Sequence, residues 1–469
     1  MLNSKETIAA ISTTPGPGAI SVLRLTGESA EKILQKIFSL SPTINSENRK
    51  SEVPLIKSHF ARHGYIYDPS TRDIVDEVIA ILYKSPNSYT GEDLVEISCH
   101  GGNVICHEVL ALLLREGARL ARRGEFTERA FLNGKIDLTQ AESVLDVIQA
   151  KTSKQGRMAV SALTGRLGKE INSIRAQLIN LQTRVVAGID FPEEIGDAPE
   201  PEIEAVVKNS LLQLNSLAKS ARAGKFLREG LKLALVGRPN AGKSSLLNYL
   251  LKFERAIVTE IPGTTRDSIE EILDLNGIPV TLIDTAGIRH TEDRVEQIGI
   301  ERSRMAIDEA DLVLLLIDLV EGWGEAEEQI LSYANEKAIF LVGNKLDLED
   351  PKSKGTSLGP DHLTSFEAQL RVSAKSGENM QELSKEIENW VYKDAAFRDA
   401  PSLNWRQAAL CLKAIECLKN VMETLEAGMP QDCLASDLKI AIDALSEISG
   451  EAVSEEIITE VFANFCIGK

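Results

Sequence analysis

The stretch that most restricts the fold is Gly237-Arg-Pro-Asn-Ala-Gly242-Lys243-Ser244, because of what stands on either side of it. The apolar run Leu233-Ala-Leu-Val leads in, and Ser245-Leu-Leu-Asn-Tyr-Leu-Leu follows with helical character. Gly-x-x-x-x-Gly-Lys-Ser between a strand and a helix is a phosphate-binding loop. Its glycines let backbone N–H groups wrap around phosphate oxygens, and the helix N-terminus adds its positive end. Lys243 then brings a cation to the β- and γ-phosphates, and the Ser244 hydroxyl ligates Mg2+. Asn240, Ala241, Gly242 and Ser245 complete the phosphate contacts of this loop.

The flanking sequence supplies a sheet for the loop. Leu233-Ala-Leu-Val, Val280-Thr-Leu-Ile, Leu312-Val-Leu-Leu-Leu-Ile and Ile339-Phe-Leu-Val alternate with polar helical stretches. Apolar runs of this kind are strands of a parallel sheet buried on both faces. Asp284-Thr285-Ala286-Gly287 follows the second run, where the aspartate can hold Mg2+ through water and the Gly287 N–H can touch a γ-phosphate. Gly263-Thr264-Thr265-Arg266-Asp267 lies before it, placing a threonine to close over Mg2+ and the γ-phosphate; Thr265 is the candidate ligand. Asn344-Lys345-Leu346-Asp347 follows the fourth run. The Asp347 carboxylate can accept from the N1–H and N2 amino group of guanine, a donor pair that adenine lacks. Ser373-Ala374-Lys375 comes after a further short strand, where a backbone N–H can reach the guanine O6. In this order, the motifs imply a guanine-nucleotide site between about Leu231 and Gly377.

The residue directly after Asp284-Thr-Ala-Gly287 is Ile288, where many GTPases carry a water-orienting glutamine. The catalytic polar group therefore comes from elsewhere, with Arg289, Glu292, Asp293 and Glu296 nearby. Arg266 and Arg289 read equally well as ordinary salt-bridge partners and as arginine fingers.

A chain of 469 residues has room for about three domains. Residues 1 to 130 read as α+β, with strand-like Ile20-Ser-Val-Leu-Arg-Leu, Glu77-Val-Ile-Ala-Ile-Leu-Tyr and Leu94-Val-Glu-Ile-Ser, and a helix over Val104 to Leu114. Between 131 and 225 the period turns helical. Leu163, Leu167, Ile171, Ile174, Leu178, Leu181 and Val185 form one stripe of a single long helix, and Val207, Leu211 and Leu214 mark another. The nucleotide motifs occupy 226 to 392, and helix returns from Trp405 to Phe465 within 393 to 469. The expected fold class is thus multidomain α/β and all-α: an N-terminal α+β domain, a helical domain in two halves, and a Ras-like P-loop GTPase domain inserted between them.

The net charge of −18 opposes non-specific nucleic-acid binding. The arginines at 115, 119, 122, 123 and 129 form the obvious basic cluster, read here as a solvated face. No apolar run reaches the ~18 residues of a membrane span. The N-terminus has no signal core, and the cysteines lack CxxC spacing, so reduced thiols in the cytoplasm are expected. Cys99-His100 and Cys106-His107 hint at a metal site, but neighbours in a strand point to opposite faces, and a packed, metal-free cluster is expected.

Several segments outside these motifs are distinctive: Thr14-Pro-Gly-Pro-Gly-Ala-Ile, Gly91-Glu-Asp-Leu-Val-Glu-Ile-Ser-Cys-His-Gly-Gly, Gly124-Glu-Phe-Thr-Glu-Arg-Ala-Phe-Leu-Asn-Gly-Lys-Ile-Asp-Leu-Thr-Gln-Ala-Glu, Ile189-Asp-Phe-Pro-Glu-Glu and the final Phe465-Cys-Ile-Gly-Lys. On these the chain resembles the MnmE (TrmE) family of tRNA modification GTPases over essentially its full length. The resemblance implies a homodimer through the N-terminal, folate-binding domain. It also implies an FAD-containing partner of the MnmG (GidA) type, and tRNA as substrate. Together the two proteins place an aminomethyl-type group on carbon 5 of the wobble uridine, with 5-formyltetrahydrofolate or a related reduced folate as one-carbon source. Asn240 then matches a K+ ligand in the phosphate loop, with oxygens near Thr259, Ile261 and Thr264 completing the cation site. Glu260, Pro262 and Gly263 fall in the same nucleotide-contacting segment. Glu296 matches a glutamate that orients the attacking water, and Arg24, Glu96, Lys135 and Lys469 match folate contacts. Cys466-Ile-Gly-Lys469 is a poor prenylation box; the resemblance makes it part of the folate site.

Overall fold

The computed structural model describes residues 6–42, 57–253, 272–283, 304–334, 337–349, 358–359, 366–393 and 403–469. The chain divides into two compact units, Met1–Leu145 with Leu163–Asn172 and Ser446–Lys469, and Asp146–Ala162 with Ser173–Leu445.

The first unit is built on seven strands: β1 (Ile8–Ile11), β2 (Ile20–Thr26), β3 (Phe38–Ser39), β4 (Ala61–Tyr67), β5 (Ile74–Tyr83), β6 (Leu94–His100) and β7 (Arg119–Leu120). Their order is β3-β4-β5-β6-β2-β1-β7, antiparallel except for the β1–β7 pair. Side chains alternate between the faces of a strand. Leu23 and Leu25 of β2, Val78, Ala80 and Leu82 of β5, and Val95, Ile97 and Cys99 of β6 therefore share one face. That face is covered by the helices Ala30–Ile37 and Asn103–Arg115, through Ile33, Leu34, Val109 and Leu113. Arg24 and Glu96 occupy intervening positions and stand directly opposite each other across β2 and β6. A third layer comes from the helices Glu125–Leu132, Leu138–Gln149 and Glu455–Ala463, joined through Phe131, Ala141, Ile458, Phe462 and Phe465.

The second unit carries β8 (Leu231–Gly237), β9 (Ile272–Leu275), β10 (Ile278–Ile283), β11 (Leu312–Asp318), β12 (Ala338–Asn344) and β13 (Ala368–Arg371), ordered β13-β12-β11-β8-β10-β9. The pairs are parallel apart from β9–β10. Leu233, Leu235, Leu314, Leu316 and Val342 face one apolar layer, and Ala234, Val236, Val313, Leu315, Ile317 and Leu341 face the other. Burial on both sides is why these strands read as unbroken apolar runs. The helix Glu200–Glu229 ends beneath this sheet, where the Phe226 and Trp390 ring centroids lie 5.4 Å apart. Earlier along the same helix, Cys411 of the helix Trp405–Glu426 donates to the Leu214 carbonyl at 3.6 Å.

Several expectations need correction. The apolar stripe does not belong to one helix: Leu163 ends the helix Ser153–Leu163, Gly165 turns the chain with φ of +74°, and Leu167 to Val185 are buried along the separate helix Arg166–Asp190. The helical stretch after Trp405 is three helices, Trp405–Glu426, Gln431–Ser449 and Glu455–Ala463. The first is interrupted near Gly428 and Pro430, residues that disfavour a helix interior. Asn276-Gly277, with φ of +52° and +88°, forms a two-residue hairpin between β9 and β10, a turn signal the apolar-run reading passed over. Finally, the basic cluster is a solvated face only in part: Arg115, Arg122 and Arg123 are exposed, Arg129 is buried, and four of the five arginines are paired. Arg129 is 6% exposed and pairs with Glu92 and Glu125; Arg119 pairs with Glu6 and Glu125, Arg122 with Glu128, and Arg115 with Asp68. Glu125 and Glu128 pair with it from within the same stretch, and Glu6, Asp68 and Glu92 from farther along the chain.

Candidate functional site

The phosphate loop closes the C-terminal end of β8 and opens directly into the helix Lys243–Phe253. Asn240 and Gly242 both take positive φ, +65° and +94°. Gly242 is required on two counts, since a Cβ there would also lie 2.0 Å from the Asn344 Nδ2. Lys243 folds over the loop and donates from Nζ to the Gly237 and Arg238 carbonyls, each at 2.6 Å. Burial lowers the pKa of this ammonium. Asn240, Ser244 and Ser245 are exposed, and Ala241 is buried.

The base-side motif sits at the end of β12. Asn344, 1% exposed, donates from Nδ2 to the Ala241 carbonyl at 2.9 Å and accepts from the Ala374 N–H at 3.1 Å. One amide thus joins the phosphate loop to the Ser373-Ala374-Lys375 loop. The Ala374 N–H, a candidate donor to guanine O6, is engaged by Asn344 in this arrangement. Ser373 Oγ donates to Asp347 Oδ1 at 2.7 Å and orients that carboxylate. Lys345, in the left-handed region at φ of +68°, pairs with Asp318 at 2.6 Å. Burial pushes the Asp318 carboxyl up, but Lys345 and the Val320 N–H outweigh it, and the net shift is downward. Asp318 ends β11, and sequence reasoning missed it. Its signal was a carboxylate closing a fully apolar strand, at the sheet edge where α/β folds bind ligands. The segments 254–271 and 284–303, which hold Thr259, Glu260, Ile261, Pro262, Gly263, Thr264, Thr265, Asp284, Thr285, Ala286, Gly287 and Glu296, lie outside the described residues.

A second polar site lies in the first unit. Arg24 Nε donates to Glu96 Oε1 at 2.9 Å, and Tyr83 Oη donates to Glu96 Oε2 at 3.2 Å. The Arg24 guanidinium stands 5.4 Å from the Tyr89 ring centroid. Burial, then the Glu96 charge, raises the Tyr83 pKa. Burial, then the Arg24 charge, lowers the pKa of the Lys469 ammonium, partly countered by Cys466 and Glu96. Backbone contacts bring the tail here. Gly124 N donates to Cys466 O at 3.3 Å, Phe126 N donates to Lys469 O at 3.2 Å, and Arg123 bridges Ile467. Gly468 permits the approach, because a Cβ there would lie 2.4 Å from the Ile11 carbonyl. Lys135 is exposed and donates to the Pro86 carbonyl at 3.0 Å.

Cys99 and Cys106 are buried with Sγ atoms 4.0 Å apart, while His100 turns outward to Asp76 and His107 to the Asn103 carbonyl. Cys106-His107 lies on a helix rather than a strand. Among the described residues, no group of three or more His, Cys, Asp or Glu is placed to hold a metal ion, and no helix is long and apolar enough to cross a membrane.

The family model described as GTP-binding protein TrmE N-terminus matches residues 7–135, and the MnmE helical domain matches 138–466. A tRNA modification GTPase MnmE of Streptococcus pneumoniae is 44% identical over 99% of this chain and 99% of its own length. One from Lactobacillus johnsonii is 42% identical over 100% of this chain and 99% of its own. A crystal structure of Era in complex with MgGDPNP and part of 16S ribosomal RNA shares 26% identity over 40% of this chain and 66% of that one, with a TM-score of 0.27. Two family models that together span most of the chain, and relatives matching it from end to end, lead to one conclusion: the chain belongs to the MnmE (TrmE) family of tRNA modification GTPases.

Proposed function

We propose that this GTPase works in the cytoplasm, as a homodimer, with an FAD-containing partner of the MnmG (GidA) type. Together they install a carboxymethylaminomethyl-type group on carbon 5 of the wobble uridine of certain tRNAs, drawing a one-carbon unit from a reduced folate. The observation that supports this reading is the return of the C-terminal tail to the first unit within one chain, where the Phe126 N–H donates to the Lys469 carbonyl and Gly468 lies against the Ile11 carbonyl, on the strand paired with the Arg24 strand. The group suits such a ligand. Arg24 and Lys469 offer cations to carboxylates, Glu96 keeps acceptor capacity for pterin N–H donors, and the Tyr89 ring borders the site. Lys135 extends the basic rim. The bound folate supplies the carbon at the oxidation level of a formyl or methylene group; the residues themselves bind and orient it.

Ser244 and Thr265 would hold Mg2+, and Asn240 with oxygens near Thr259, Ile261 and Thr264 would hold K+, whose charge would favour the pairing of two nucleotide domains. These cations neutralise charge on the phosphate oxygens. Lys243 adds its own charge to the same oxygens, Asp347 selects guanine, and Glu296 positions the attacking water. The same reading divides the chain into an N-terminal domain over 1–130, helical halves over 131–225 and 393–469, and an inserted nucleotide domain over 226–392.

The deciding experiment is mass spectrometry of wobble nucleosides in tRNA from cells lacking this gene. The carbon-5 group should be missing, and should return with the parent chain but not with Arg24→Ala. Unaltered wobble uridine would refute the proposal.

A further inference from the structure

Arg238 and Glu327 belong to none of the nucleotide motifs, yet the structure ties them to the phosphate loop. Arg238 is the first residue after Gly237, and its side chain leaves the loop for the segment that follows β11. There its Nε donates to Glu327 Oε2 at 2.7 Å, and Nη2 donates to the same oxygen. The Gly324 N–H adds a third bond to it at 3.0 Å, at the start of the helix Glu325–Tyr333. The Glu327 side chain is only 1% exposed. A buried carboxylate is costly without a well-placed cation, so the guanidinium is confined to one position.

The same residue's backbone carbonyl is the corner of the loop. It accepts from Lys243 Nζ at 2.6 Å and from the Ala241 N–H at 3.3 Å. At the other end of the segment, Asp318 holds Lys345 of the base-side motif. Residues 318 to 327 therefore contact both nucleotide-binding loops through buried carboxylates.

We infer that the Arg238–Glu327 ion pair is a positioning device for the phosphate loop, fixing the carbonyl that steers the Lys243 ammonium. Both residues act through Lys243.

Gly324→Ala is the sharpest probe. Gly324 has extended backbone, φ of −163° and ψ of −169°, which alanine adopts without strain. Its new Cβ, however, would lie 2.1 Å from Arg238 Nη2 and must displace the guanidinium. Titration of the full chain with fluorescent GTP and GDP analogues should show an affinity loss of about tenfold, the size expected for coupled neighbours. In a Lys243→Ala background the same substitution should change affinity by less than about twofold, because the carbonyl no longer has an ammonium to steer. Arg238→Lys keeps the charge but loses the planar fork, and should show a smaller loss with the same dependence on Lys243. Thermal unfolding of each variant establishes that binding is read on folded protein. Parent-like affinity in Gly324→Ala and Arg238→Lys, or an equal loss with and without Lys243, would overturn the inference.

Discussion

Asn344→Ala tests the bridge between the Gly237–Ser244 loop and the Ser373-Ala374-Lys375 loop. The parent amide uses both polar atoms, Nδ2 to the Ala241 carbonyl at 2.9 Å and Oδ1 to the Ala374 N–H at 3.1 Å, and is 1% exposed. Alanine leaves a buried carbonyl and a buried N–H without this partner. Each such group costs about 1–3 kcal/mol, so the second unit should lose about 2–6 kcal/mol. Asn344→Asp makes the argument stricter. It preserves shape and the acceptor facing Ala374, but sets an oxygen against the Ala241 oxygen and buries a charge, so it should cost at least as much as alanine. The chain's three tryptophans, Trp323, Trp390 and Trp405, all lie in the second unit, so their fluorescence during urea unfolding reports that unit. Midpoints should fall in the order parent, alanine, aspartate, at constant slope. A loss below about 1 kcal/mol for alanine, or an aspartate variant as stable as the parent, would refute the bridge as the source of coupling.

Asp347→Asn replaces an acceptor with a donor, so preference should move from GTP towards xanthosine triphosphate in competitive binding; a retained preference for GTP contradicts the assigned role. Hydrolysis should be several-fold faster in K+ than in Na+ at equal ionic strength, and equal rates would remove Asn240 from the cation site. Deleting Cys466 to Lys469 should abolish 5-formyltetrahydrofolate binding in calorimetry and leave GTP affinity intact; undiminished folate binding would exclude the tail from the site. Glu125 provides a pH test. Burial pushes its carboxyl up, but Arg119, the Arg122 N–H and Arg129 outweigh this and bring it from 4.5 to about 2. A folded value below the unfolded one gives stability that is complete above the unfolded value and lost as pH falls through the folded one, on the order of 3 kcal/mol here. Acid unfolding followed by circular dichroism should therefore be shallower in Glu125→Gln, and an identical slope would show that this carboxylate is not the titrating group.

The strands β2, β5, β6, β8, β10, β11 and β12 and the helix Asn103–Arg115 all fall where the sequence pattern puts them. Apolar period and turn chemistry are properties of a few consecutive residues. What was missed includes β1, β4 and the helix Ala30–Ile37, the two-residue strands β3 and β7, and the break at Gly165 inside an otherwise continuous apolar stripe. A two-residue strand has no period to detect, and an apolar stripe carries through a turn when both flanking helices bury their apolar positions.

The nucleotide site shows the same division. Gly237 to Ser244 determines its own strand–loop–helix geometry, because positive φ and a helix N-terminus are encoded in neighbouring residues. The residues that brace it are remote: Asn344 meets Ala241 across 103 positions, and Arg238 meets Glu327 across 89. In the first unit, Arg24 and Glu96 are 72 positions apart and meet only because β2 and β6 pair in that register. The C-terminal tail returns to this unit because Gly468 allows it to pass the Ile11 carbonyl and the Phe126 N–H bonds the Lys469 carbonyl. The sequence by itself determined the local motifs and the charge of each side chain. Which charges share a site was decided by strand register and by the path of the returning chain, and neither leaves a local period in the sequence.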